Sequence, residues 1–255
     1  SYDECQYSPL ELAASNGNRK VVKKLLDSKA DPNLAKTKLG TALIDAVTSG
    51  YKKIKKDLLD SKANPDLPRK SDGRTALMLA TKDGKFGMVK MLLESNSNPN
   101  LSDGEGWTAL MLAVHYNQTE IVELLIEKRA NLDQVDQDGW TALSMAAIKN
   151  KPYFVKTLLK NGANINQARN DGMTSLMLAA KENHAELVEI LMNSGANPNL
   201  QNKNGFTAFM IAAQEFNNQV VKILLKEEFK TDVSLTNNDG QTALMLVAKK
   251  GYFSL

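Results

Sequence analysis

The chain repeats itself, and a period of a few tens of residues decides the fold class before any local feature is weighed. A Thr-Ala-Leu segment opens at Thr41, Thr75, Thr108, Thr141 and Thr242, with Thr-Ala-Phe at Thr207, Thr-Ser-Leu at Thr174 and Ser-Pro-Leu at Ser8. Successive starts lie 33, 34, 33, 33, 33, 33 and 35 residues apart, which makes seven full units and a fragment.

Each unit holds two apolar bursts with residues three and four apart, the signature of helices buried on one side. The first is the Thr-Ala-Leu segment, and the second follows about 14 residues later, as in Ile121-Val122-Glu123-Leu124-Leu125. The Thr is an N-cap whose hydroxyl accepts from an amide of the first turn. Breaks such as Lys82-Asp83-Gly84 separate the bursts, and a polar run such as Ala163-Asn164-Ile165-Asn166 closes the unit, with Gly just before the next Thr. Sequence alone therefore predicts helix, turn, helix and extended loop, over and over.

These residues resemble the ankyrin repeat, whose pattern runs Asp-x-x-Gly-x-Thr-Pro-Leu-His, Ala-Ala, Gly, Val-Val, Leu-Leu and Gly-Ala-x-x-Asn. The likeness extends over essentially residues 3 to 255, with repeats starting near residues 3, 36, 70, 103, 136, 169, 202 and 237 and the last incomplete. It implies an all-α fold, an ankyrin-repeat solenoid of stacked helix-turn-helix units with β-hairpin-like fingers, read here as one array. The chain departs from the pattern in three ways. Ala replaces Pro after most of the Thr residues, and Met78, Met111, Met177, Met210 and Met245 replace His, a column read as core filling. The Gly that ends the second helix survives as Gly162 and Gly195 but is Lys29, Lys62, Asn96 and Arg129 earlier, each costing roughly 1 kcal/mol if left-handed. The two insertions fall near Leu67–Ser71, in a finger, and near Glu227–Lys230, after a helix.

Composition argues against chemistry at a built site. With one Cys (Cys5) and two His (His115, His184) in 255 residues, no disulfide framework or zinc cluster is available, and no metal or other cofactor is expected. Phosphate-loop, nucleophile-elbow and His-Glu-x-x-His motifs are missing, so the chain reads as a non-enzyme. A net charge of +3 draws neither nucleic acid nor anionic membrane, and no apolar run reaches membrane-spanning length. The dense group Lys52, Lys53, Lys55 and Lys56 is read as a solvated outer face.

What remains is binding. In the family, fingers and first helices line a concave surface, and the residue before each Thr sits near the finger base. That column reads Tyr7, Gly40, Arg74, Trp107, Trp140, Met173, Phe206 and Gln241, and so collects both tryptophans of the chain. His115 and Tyr116 at one first-helix tip, and Ile148 and Lys149 at the next, extend it, with Asp83, Glu105 and Asp138 as part of an acidic rim. The expected partner is a protein or peptide. The alternative is packing of these rings between neighbouring fingers, and a second functional reading makes the array the targeting segment of a longer protein. The bias to 27 Lys over 5 Arg, with 24 Asn, looks like effectors of intracellular bacteria and equally like proteins of AT-rich protists, implying a cytoplasmic location, in the host if so delivered. There Asn166 and Asn199 resemble the family's substrates for asparaginyl hydroxylase.

Overall fold

The computed structural model describes residues 7–249 and divides into two compact units, residues 1–131 and 132–255. Unit 1 contains α1 (Pro9–Ser15), α2 (Arg19–Asp27), α3 (Ala42–Thr48), α4 (Lys52–Asp60), α5 (Ala76–Lys82), α6 (Phe86–Glu94), α7 (Ala109–His115) and α8 (Thr119–Glu127). Unit 2 contains α9 (Ala142–Ile148), α10 (Pro152–Lys160), α11 (Ser175–Lys181), α12 (Ala185–Asn193), α13 (Ala208–Gln214), α14 (Asn218–Leu224) and α15 (Ala243–Lys249). A 3-10 turn at Glu227–Phe229 follows α14, where the sequence placed an insertion. Among the described residues the fingers carry only isolated bridges, Thr37 to Gly40, Ser102 to Thr108 and Ala168 to Thr174, so they are hairpin-like in path without extended strands.

Helices of seven to nine residues do not persist alone in water, so packing must hold them. In unit 1, α1 packs on α3, α3 on α5 and α5 on α7; in unit 2, α9 packs on α11, α11 on α13 and α13 on α15. Each second helix lies against the first helix of its own repeat. The Thr hydroxyls cap as the sequence requires, accepting from the third helical amide at 3.1 Å in α9 and 3.2 Å in α7. The Met column is core at Met78, Met111, Met177 and Met210, but Met245 on α15 is exposed. Leu244 beside it is also exposed, whereas Leu246 and Val247 are buried.

The second-helix ends are left-handed even without Gly, with φ of 64° at Lys29, 65° at Lys62, 62° at Asn96 and 60° at Arg129. A Cβ built on Gly162 or Gly195 meets nothing within 4 Å, which explains the tolerance: only backbone strain opposes a side chain there. Finger glycines are different. A Cβ on Gly139 would stand 2.5 Å from the Asn170 backbone nitrogen of the following finger. Fingers approach this closely because they are bonded in series, the Gly104 amide donating to the Asp72 carbonyl in unit 1 and the Asn170 amide to the Asp138 carbonyl in unit 2.

A second ladder runs through the polar runs that close each repeat. In unit 1 the side-chain oxygens of Asn33, Asp66 and Asn100 accept from the amides of Asn64, Asn98 and Asn131. In unit 2 those of Asp133, Asn166 and Asn199 accept from Asn164, Asn197 and Asp232. Here the repeated Asn/Asp has a mechanical reason: each repeat supplies the acceptor for the next repeat's backbone.

Candidate protein-binding surface

In unit 1 the site is built on the finger that leads into α7. The Asp103 carboxylate folds this finger by accepting from the amides of Glu105 (3.0 Å) and Trp107 (2.9 Å), which fixes where the indole emerges. The half-buried Trp107 ring meets the His115 ring edge-on at 5.0 Å, and His115 meets Tyr116 in the same way at 4.9 Å. Tyr116 leaves 42% of its surface to solvent, while Glu105 and Asp83 are exposed. Finger base and helix tip thus form one aromatic cluster. Arg74 is less available than its place in the column suggests, because its Nε donates to Asp103 at 3.0 Å. The preceding finger, one residue longer, is stapled by a bidentate Arg69–Asp72 pair, and that hydrogen bond holds the Asp72 carboxyl below the usual range. The Asp83 carboxylate accepts from Lys85, whose ammonium also caps the Thr48 carbonyl at the end of α3.

In unit 2 the Asp136 carboxylate likewise accepts from the amides of Asp138 and Trp140. The Trp140 ring is half-buried beneath the Arg169 guanidinium, whose central carbon lies 3.8 Å from the ring centroid, a stacked cation–π contact. Arg169 stands where four other fingers place Asp103, Asp136, Asn202 and Asn237, and it also pairs with Asp171 at 3.3 Å. Sequence reading missed it, although the break in that column of acceptors was visible. Phe206 is half-buried, and Lys149 and Asp138 are exposed. Ile148 is partly covered and gives its carbonyl to His184 Nε2 at 3.2 Å. Met173 differs from the expected contact residues: it is buried, and its sulfur accepts from Asn202, so it supports the finger and offers almost no surface.

Asn166 and Asn199 are both spoken for by the ladder, their side-chain oxygens accepting at 2.9 and 2.8 Å. The lysine group read as wholly solvated contains an exception. Lys52, Lys53 and Lys56 are exposed, but Lys55 is fully buried. Cys5 lies outside the described residues.

The ankyrin-repeat model matches residues 10–103, 84–169, 128–202 and 176–255. This chain belongs to the ankyrin-repeat family. Among solved structures, the ankyrin repeat domain of Bcl-3, described as a unique member of the IkappaB protein family, is similar at a TM-score of 0.79 and 29% identity, covering 88% of this chain and all of that one. No curated protein matches the sequence. Ankyrin repeats make the chain a protein–protein interaction scaffold, and no helix among the described residues is long and apolar enough to cross a membrane. On such a scaffold the aromatic cluster in unit 1 and the Trp140–Arg169 stack in unit 2 are side-chain features of this chain, built on a column whose residue changes from repeat to repeat.

Proposed function

We propose that the chain is a non-enzymatic scaffold that takes a protein or peptide on the face made by its fingers and first-helix tips, with the repeats acting as one array. The observation that carries this reading is the Trp107–His115–Tyr116 cluster: rings in T-shaped contact and incompletely covered, with the exposed acids Glu105 on the same finger and Asp83 at the end of α5, the first helix packed on α7. Aromatic groups fixed in place and still open to solvent bind with little loss of side-chain freedom. In unit 2, Trp140, Phe206, Lys149 and Asp138 supply the corresponding surface.

Tyr116 separates binding from packing better than the tryptophans do, because more of its ring is free. Tyr116→Ala weakens partner capture at least tenfold while the melting temperature falls by less than about 3 °C. Trp107→Ala with Trp140→Ala abolishes capture at a larger cost in stability, since each ring also packs within its own unit. Affinity capture and thermal melts on the same preparations check both, and capture by the Tyr116 variant at the native level would overturn the assignment. The lysine and asparagine bias supports a role as an effector acting in a host cytoplasm. There Asn166 and Asn199 are the candidates for asparaginyl hydroxylation, which intact mass registers as added oxygen and which must proceed against the ladder bonds both residues make.

A further inference from the structure

Two acidic side chains are buried where the first repeat meets the second. Glu11 on α1 occupies the column filled elsewhere by Ile44, Met78, Met111, Ser144, Met177, Met210 and Met245. Asp45 on α3 occupies the column of Leu12, Leu79, Leu112, Met145, Leu178, Ile211 and Leu246. The ends of the series show which way each column faces. Leu12 is 50% exposed in the first repeat and Leu246 is buried in the last described helix, so the Asp45 column faces the preceding repeat. Met245 is exposed and Glu11 is fully buried, so the Glu11 column faces the following one. With α1 packed on α3, the acids oppose each other across that interface.

They are held very differently. The Glu11 carboxylate accepts from the Ser8 amide at 2.6 Å, the Lys36 amide at 3.2 Å, and the Thr37 amide and hydroxyl at 3.4 Å, so both of its oxygens are satisfied. Asp45 is 8% exposed, and its Oδ2 finds no hydrogen-bond partner among the described residues. Of the other elements packed on α3, α4 buries Lys55 and α5 buries no ionisable group. A carboxyl buried beside another carboxyl group, with one oxygen left without a donor, favours its protonated form.

We propose that the first repeat is a proton-operated cap, docked on the second repeat while Asp45 is protonated and released as Asp45 ionises against Glu11. In support, burial and then the Glu11 charge push the Asp45 carboxyl up to about 7 from 3.8. Because the folded value is raised, the contribution is complete below the unfolded value and is lost as pH climbs from about 4 to about 7. Release therefore increases toward neutral pH, the opposite of ordinary acid denaturation.

Hydrogen exchange on the full chain tests this, after correction for intrinsic base catalysis. The opening constant of the α1 amides rises about tenfold per pH unit between about pH 5 and 7 and levels off above, while α9 amides in the same molecule stay flat. Asp45→Asn and Asp45→Leu, the second restoring the residue found at five equivalent positions, each remove the slope. A flat profile in the native chain, or an unchanged slope in both variants, would overturn the proposal.

Discussion

Lys55 is a charged side chain standing in a column of valines. Equivalent positions hold Val22, Val89, Val122, Val155, Val188 and Val221, and Lys55 is as buried as any of them, with no hydrogen-bond partner for its Nζ among the described residues. Burial lowers its ammonium from 10.5 to about 8 despite the nearby Glu94 charge. The folded value being depressed, the penalty is fully present below about pH 8 and fades as pH rises toward the unfolded value. Lys55→Val should raise stability by about 2 kcal/mol at pH 7 and abolish the gain seen on going from pH 8 to 10, as urea titrations will show. The sequence contained what was needed to find this residue. Reading the lysines as a cluster hid it, whereas aligning them by repeat puts Lys55 under Val22 and the other three on outer positions. Arg169 was overlooked for the same reason, since its identity as a cation matters less than the acceptor it replaces.

At the level of helices and fingers, the caps, breaks and two insertions follow from the sequence because each depends on local backbone chemistry. The fingers do not, since their detail depends on a neighbouring repeat. Gly139 and Gly162 look alike in a sequence, both left-handed, with φ of 84° and 92°. Only Gly139 has another backbone where its Cβ would go, 2.5 Å away. Gly162→Ala should cost about 1 kcal/mol, the left-handed strain alone, and Gly139→Ala at least 2 kcal/mol more as the fingers are forced apart. Denaturant midpoints of the two variants measure the difference. The candidate surface was legible to a similar degree. The aromatic column and helix-tip residues were readable from the register, but which members are open and which are spent on partners, as with Met173 and Arg74, is set by contacts between repeats.

The molecule distributes its irregularities unevenly. Unit 1 carries the buried Asp45 and Lys55 and the left-handed second-helix ends Lys29, Lys62, Asn96 and Arg129, whereas in unit 2 α10 and α12 end on glycine and left-handed side chains stand at the first-helix ends, Asn150, Asn183 and Phe216. In a repeat protein stability is close to a sum over repeats and their nearest-neighbour interfaces, so such local costs stay local. Each unit contains one tryptophan, Trp107 or Trp140, so each can be followed separately. Trp140→Phe, reporting on unit 1, should unfold at lower urea than Trp107→Phe, reporting on unit 2. Coincident midpoints would show that the two units melt together. The ladders of asparagine and finger bonds have a last consequence, for how such a gene changes length. Every repeat hands one acceptor forward and receives one from behind, so excising a whole period leaves the bookkeeping intact, while excising part of one strands a donor on one side and an acceptor on the other. Lineages of this chain should therefore differ by complete periods, with smaller insertions confined to places such as the finger at Arg69–Arg74 and the turn at Glu227–Phe229, where no rung of the asparagine ladder falls.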